Sequence, residues 1–182
     1  MTRIRILAAL LLLPWAAPLA AADDDPADPP HVRVLDLRLR TLFEEGKDRS
    51  PTFQALVRRL EQSNVVVYIE GDRWSTTSFA GRLSFLSTVA GTRYLLIRIA
   101  PLPSTIQQLA MMGHELQHAV EVADNPEVVD EESFLREYLR IGYISGFVDS
   151  GLGFDTRAAI DAGTRVAEEL RSEPQLPVSV GD

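Results

Sequence analysis

Cysteine is absent from this 182-residue chain, and its absence removes several classes of chemistry at once. Without thiols the protein has no disulfide bond, no structural zinc site on cysteines and no cysteine nucleophile. Histidine is nearly as scarce, with three residues, His31, His114 and His118. His31 stands apart near the N-terminus, so a metal site built on imidazoles depends on the other two.

Basic residues are outnumbered by acidic ones, 18 to 26, which gives a net charge of -8. This balance argues against a surface for nucleic acid or for an anionic membrane. The length and the 46% hydrophobic share suit one globular domain that buries its own core. We therefore expect a folded protein that does not bind nucleic acid.

The N-terminal apolar stretch, residues 6–13, is too short to span a bilayer. It follows Arg3 and Arg5 and precedes three alanines at 20–22, which is the pattern of a secretory signal peptide. We expect residues 1–22 to be removed on export, so that the protein is periplasmic or extracellular without a stable membrane anchor. With no cysteine, the cleavage point also lacks a site for lipid attachment.

The pentapeptide H-E-L-Q-H at residues 114–118 is the most informative motif, and it lies within a helical pattern from 104 to 123. Residues four apart share a helix face, so His114 and His118 can bind one metal ion. Glu115 lies about 100° round the helix, where its carboxylate can take a proton from water at the metal. The pattern H-E-x-x-H predicts two zinc ligands and a general base.

The remainder of this helix supports a metal site. Gln107 and Glu121 fall on the histidine side, whereas the apolar residues form a stripe nearly opposite: Leu109, Met112, Leu116, Val120 and Ala123. One face therefore suits the core and the other suits a cleft. A helix with two ordinary surface histidines is the simpler alternative that the bare motif also allows.

A zinc site of this kind needs a third protein ligand. The metzincin extension of the motif requires a glycine where Glu121 stands, a histidine where Asp124 stands, and a methionine further along the chain. An aspartate at the last position is a tolerable variant, but the glycine and the later methionine are missing. The third ligand is therefore expected from a different segment.

Asp155 is the preferred third ligand. It begins a face of mostly small residues that would let its helix approach another closely: Ala159, Ala162 and Val166. Aspartate is also a favoured helix N-cap, so a purely structural role for Asp155 stays open. Glu137 and Glu131 are the alternative ligands. Glu137 has close to the usual spacing after His118 of the gluzincin group, but an acid is missing at Ile141, where that group has one.

The rest of the chain divides into a flexible acidic and proline-rich tether at 23–30, one domain at 31–171 and a loose tail at 172–182. Within the domain, helical spacing predicts helices at 32–45, 51–62, 131–141 and 155–171. Strand patterns occur at 65–69, 82–88 and 93–99, and a glycine-rich loop is expected at 142–153. A tight turn after residue 89 favours a short antiparallel sheet.

Several stretches resemble a group of exported bacterial zincin-like proteins related to gluzincin metallopeptidases. They are residues 49–53, 65–68, 93–95, 113–122, 141–143 and 154–159. The resemblance implies an α+β, zincin-like fold in which a small antiparallel sheet precedes the H-E-x-x-H helix and two further helices. It also implies an acid, often Glu, at the position of Asp155, and a sheet edge strand beside the cleft. Residues 94–99 are the candidate for that edge strand, and an ordinary sheet strand is the alternative for them.

The expected function is that of a zinc-dependent metallopeptidase acting on a peptide or protein substrate. Zn²⁺ would be held by His114, His118 and Asp155, and Glu115 would assist the attack of water on the peptide bond. The alternative is a non-catalytic exported module that binds metal or a partner protein on a zincin scaffold. Glu115 favours catalysis, because a purely structural metal site needs no base.

Overall fold

A computed structural model describes residues 29–72, 79–148 and 151–172. The predicted signal peptide, most of the tether and the tail from residue 173 lie outside these ranges. The described strands are β1 (Val32–Val34), β2 (Val65–Gly71), β3 (Gly81–Val89), β4 (Thr92–Ile99), β5 (Tyr143–Val148) and β6 (Gly151–Asp155). The described helices are α1 (Leu37–Arg49), α2 (Pro51–Glu61), α3 (Thr105–Asp124), α4 (Glu131–Ile141) and α5 (Arg157–Ser172).

The main sheet is mixed: two of its three strand pairings are parallel and one is antiparallel. The prediction of a purely antiparallel sheet is therefore wrong. Its strand order is β1-β2-β4-β3. β2 pairs in parallel with both β1 and β4, and only β3 pairs antiparallel with β4. The tight turn between β3 and β4 is confirmed, with positive φ at Ala90 and Gly91. β2 and β4 are nearly continuous apolar runs, which is typical of parallel strands buried on both faces.

β3 lies at one edge of the sheet and β1 at the other, so the assignment of residues 94–99 as the edge strand is wrong. Those residues belong to β4, which is paired on both sides. Leu95, Ile97 and Ile99 of β4 are fully buried, whereas β3 is only partly buried and contains Arg82 and two serines. The edge position suits the more polar strand, because an edge strand faces solvent along one side.

The predicted first helix begins later than its apolar spacing suggested. Val32 and Val34 point inward in strand β1, and α1 starts after Asp36, whose carboxylate accepts hydrogen bonds from the first amides of the helix. The start of α2 is as predicted, since the Ser50 hydroxyl accepts from the Phe53 amide at 3.1 Å. Local capping chemistry therefore sets both helix starts.

The predicted loop at 142–153 is largely a hairpin of β5 and β6, paired antiparallel. Two of its described glycines, Gly146 and Gly153, lie close to an aromatic ring. A Cβ at Gly146 or at Gly153 would lie 3.2 Å from the ring of Phe79. A side chain at either position would therefore press on a residue remote in sequence, and the local pattern does not reveal this contact.

The core lies between the main sheet and α3. The apolar stripe of α3 is buried as predicted, with Leu109, Met112 and Leu116 fully inaccessible to solvent. Ser104 begins the helix through a reciprocal capping box with Gln107. The two further helices predicted after α3 are present as α4 and α5. Among the described residues, no helix is long and apolar enough to cross a membrane.

Candidate metal and catalytic site

Close packing of α5 on α3 brings the third predicted ligand towards the histidines. A Cβ at Gly163 of α5 would lie 3.0 Å from the backbone oxygen of Ala110 and 3.2 Å from the His114 Cβ. On the other helix, a Cβ at Gly113 would lie 2.8 Å from a methyl group of Val166. The small-residue face of α5 therefore allows the approach that the sequence predicted.

His114, His118 and Asp155 form one cluster. The Asp155 Oδ1 atom lies 3.5 Å from His114 Nε2 and 3.9 Å from His118 Nε2. One potential ligand atom from each residue lies within 4.8 Å of the other two. The imidazole rings meet edge to face, with centroids 4.9 Å apart. Two histidines one helical turn apart and a carboxylate from the end of β6 thus face a common point.

These residues fit a divalent metal ion. Ligand atoms about 2.1 Å from a tetrahedral zinc lie about 3.4 Å from one another. The measured separations, from 3.5 Å to at most 4.8 Å, require only a small inward adjustment. Two imidazoles and one carboxylate are also the ligands of catalytic zinc sites that keep an open position, although other divalent metals use the same set.

His118 is held on both sides. Its Nδ1 atom lies 2.9 Å from Glu121 Oε2, and its backbone oxygen accepts a hydrogen bond from the Tyr138 hydroxyl at 2.9 Å. Burial opposes protonation of His118, but the hydrogen bond to Glu121 and the charges of nearby carboxylates outweigh it and raise the pKa. In contrast, burial and the neighbouring His118 lower the pKa of His114.

Glu115 is a buried carboxylate beside the cluster, with 4% of its surface exposed. Burial raises the pKa of Glu115 to about 7, although the positive charge of His118 opposes the shift. The backbone of Leu83 in β3 and nearby Arg82 both favour the ionised form and so limit the rise of this pKa. A general base works best with a pKa near the operating pH, and a bound cation would favour ionisation further.

The approach of β3 to Glu115 depends on Gly81. A Cβ at this position would lie 2.6 Å from Glu115 Oε1 and 2.8 Å from the side chain of Met111. A side chain at this position would therefore force the Glu115 carboxylate or the Met111 side chain to move.

The alternative ligands lie outside the cluster. Glu137 accepts two hydrogen bonds from Arg140, at 2.8 and 2.6 Å, and Glu131 lines a nearby cavity. Asp155 is not the cap of α5. That role belongs to Thr156, whose hydroxyl accepts from the Ala159 amide at 3.1 Å.

Sequence reasoning did not assign Glu121 or Thr156 to the site. The available signal for Glu121 was its position three residues after His118, on the same helix face. Metal-binding histidines commonly donate their second ring N–H to a carboxylate, which makes that spacing meaningful. Nothing local indicated the hydrogen bond between Thr156 and Glu121, because it joins two separate elements.

A cavity of about 250 Å³ adjoins Glu115 and His118, between β3, α4 and the β5–β6 hairpin. Its wall combines apolar and aromatic side chains with polar ones. The apolar and aromatic residues are Phe79, Leu83, Phe85, Phe134, Leu135, Tyr138 and Phe154, and the polar residues include Arg82, Ser84, Glu131 and Ser145. A more open groove of about 460 Å³ lies on the other side, along His114 between α3 and α5. The cluster thus lies between two depressions of the surface.

The fold and the site together define an α+β protein with a His-His-Asp cluster that can hold a metal ion. No protein-family model, curated protein or solved structure matched this chain. The resemblance to zincin-like proteins therefore rests on the sequence stretches given above.

Proposed function

We propose that the protein is an exported, zinc-dependent metallopeptidase with a zincin-like fold. The observation that carries the proposal is the meeting of His114, His118 and Asp155, with the Glu115 carboxylate beside them. A chance H-E-x-x-H motif on a surface helix has no reason to face a carboxylate from another element. Nor does it require a buried acid at its second position.

The residues have separate roles in the proposed reaction. His114, His118 and Asp155 would hold Zn²⁺, which supplies Lewis acidity and makes water nucleophilic near neutral pH. Glu115 accepts a proton from the attacking water molecule while the oxygen of that water bonds to the scissile carbonyl carbon. When the C–N bond breaks, Glu115 returns that proton to the leaving nitrogen.

A peptide or protein substrate suits the surroundings of Glu115. The adjoining cavity, about 250 Å³, is larger than an apolar cavity of about 150 Å³ that binds benzene, so it can accept a bulky apolar side chain. Within the described residues, no strand pairs with the outer side of β3. An extended peptide can therefore add to that edge through backbone hydrogen bonds.

Metal content is the first test. We expect mass spectrometry of the purified protein to find one zinc per chain, and we expect His118→Ala and Asp155→Ala to lose it. Glu131→Gln and Glu137→Gln are matched controls, since each removes a nearby carboxylate outside the cluster, and both should retain zinc. A wild-type protein that takes up no zinc even on reconstitution would overturn the proposal.

Peptide cleavage then separates an enzyme from a metal-binding module. Glu115→Gln preserves the shape of the side chain but removes the base. It should keep its zinc and cleave a mixed peptide library at least about 100-fold more slowly than wild type. Zinc binding without cleavage in the wild-type protein would leave the non-catalytic module as the better description.

A further inference from the structure

Glu121 joins two parts of the site that come from different elements. Its Oε2 atom lies 2.9 Å from His118 Nδ1, and its Oε1 atom accepts a hydrogen bond from the Thr156 hydroxyl at 2.6 Å. The glutamate is on α3, whereas Thr156 lies between β6 and α5. A single partly buried carboxylate thus bridges the motif helix and the segment that carries Asp155.

The His118 side of this bridge selects the tautomer that a metal needs. A carboxylate accepts but does not donate, so a proton is required on Nδ1 where it faces Glu121. Neutral His118 then has its free electron pair on Nε2, the nitrogen nearer to Asp155. An amide or hydroxyl at position 121 could donate to Nδ1 instead, and the tautomer would no longer be fixed.

The Thr156 side of the bridge controls Asp155. The Thr156 backbone amide donates to Asp155 Oδ1 at 2.8 Å, and this is the oxygen that faces both histidines. The same threonine caps α5 by accepting from the Ala159 amide. Thr156 is 3% exposed, so water does not substitute readily for its contacts.

We infer that Glu121 is a positioning residue that sets the separation between His118 and Asp155 through Thr156. The inference rests on the proposed function, because it concerns the same metal site. Glu121 does not itself bind the metal in this arrangement. It holds one ligand directly and the other through the neighbouring threonine.

Glu169, a carboxylate on α5, offers a matched comparison with Glu121. Glu169 accepts hydrogen bonds from the hydroxyls of Ser50 and Thr52 at the start of α2. Like the Glu121–Thr156 pair it docks α5 onto another helix through hydroxyl donors, but it lies at the opposite end of α5. Loss of Glu169 should therefore weaken folding without altering the relation between His118 and Asp155.

The experiment measures zinc affinity by competition with a chelator, using the purified protein and four variants. Glu121→Leu removes the links to His118 and to Thr156. Thr156→Val removes the link to Glu121 and also the hydroxyl cap of α5, and the Glu169→Gln variant controls for the loss of stability that follows. We expect Glu121→Leu and Thr156→Val each to weaken zinc binding about 10- to 100-fold. Thr156→Ser keeps the hydroxyl and should restore affinity to within about threefold of wild type, while Glu169→Gln should lower thermal stability but leave affinity unchanged. The absorption spectrum of bound Co²⁺ should change in the first two variants only, because it reports ligand geometry.

The outcomes distinguish the inference from the function on which it rests. Equal zinc affinity in wild type and Thr156→Val would overturn the positioning role while leaving the metal site intact. An affinity loss in Glu169→Gln as large as that in Thr156→Val would overturn it too, since general destabilisation would then explain both. No zinc binding by wild type would overturn the proposed function and the positioning role together. If Glu121→Leu does not fold, the zinc affinity of Thr156→Val alone tests the positioning role.

Discussion

Arg93 offers the sharpest test of how the end of α3 is held. This guanidinium is 2% exposed, although it belongs to strand β4. It donates to four backbone oxygens where α3 ends, those of Val122, Ala123, Asn125 and Val128, and also to the side-chain oxygen of Asn64. The acceptors are neutral, and the partial negative charge at a helix C-terminus complements the cation. Arg93→Met removes these donors while keeping an apolar side chain of similar length.

The cost follows from the oxygens left behind. The backbone oxygens of Val122 and Asn125 each retain a backbone amide donor after the substitution. The full penalty therefore falls on those of Ala123 and Val128, at about 1–3 kcal/mol for each buried acceptor without a partner. We expect the free energy of unfolding to fall by about 2–6 kcal/mol. A loss in the middle of this range corresponds to a melting temperature about 10 °C lower.

Urea unfolding followed by circular dichroism measures this change, and Arg98→Met is its control. Arg98 is on the same strand but pairs with Glu70 at a half-exposed position, at 2.7 Å. Its removal should cost about 0–1 kcal/mol, as for other surface ion pairs. If the two variants lose similar amounts of stability, the reasoning about buried acceptors at the end of α3 is refuted.

Three further predictions concern packing, the base and pH. Gly163→Val places a side chain against the backbone of α3, where the Cβ atom alone would lie 3.0 Å from the Ala110 oxygen. We expect thermal unfolding to show a free energy of unfolding lower by about 1–3 kcal/mol, together with weaker zinc binding. Gly81→Ala introduces a methyl group 2.6 Å from Glu115 Oε1, so we expect slower peptide hydrolysis with normal zinc content. Partial burial opposes ionisation of Glu169, but the hydrogen bonds from the start of α2 outweigh it and lower the pKa. The stabilisation by Glu169 is complete above the unfolded pKa of about 4.3 and is lost as the pH falls through the lower folded pKa. Urea unfolding should therefore find a smaller free energy of unfolding for Glu169→Gln than for wild type at pH 7, and a smaller further loss in acid.

Each of these predictions has a contrary result. Unchanged stability in Gly163→Val would mean that α5 does not lie directly on α3. Loss of zinc in Gly81→Ala would show that β3 supports the metal ligands rather than only the base. An equal acid sensitivity in Glu169→Gln and wild type would mean that this carboxylate is not stabilised on folding.

The parts of the fold with a local cause could be predicted from the sequence. The apolar stripe and the Ser104 cap define α3, and the small residues after Asp155 indicate a helix that packs closely. The direction of strand pairing has no such local cause. β2 and β4 are parallel neighbours because their apolar runs share the centre of the sheet, while β3, lying between them in sequence, goes to the edge.

The same distinction explains the site. A helical period was enough to place His114 and His118 on one face, because only residues of α3 are involved. The contacts of the hairpin glycines with Phe79 and of Thr156 with Glu121 could not be predicted, since these partners are remote in sequence. Contacts of this kind exist only after the elements have packed, so no local pattern reports them.

Because the donors are divided between α3 and the end of β6, a metal ion bound at this cluster would make metal binding a part of folding. The two histidines are neighbours on one helix face, whereas Asp155 lies beside them only when α5 has packed against α3. A metal that prefers the complete set stabilises that docked state, by about 4 kcal/mol when its free concentration is 1,000 times its dissociation constant. Ion uptake and closure of the helix pair would then be a single equilibrium, and chelation would loosen contacts far from the ion itself.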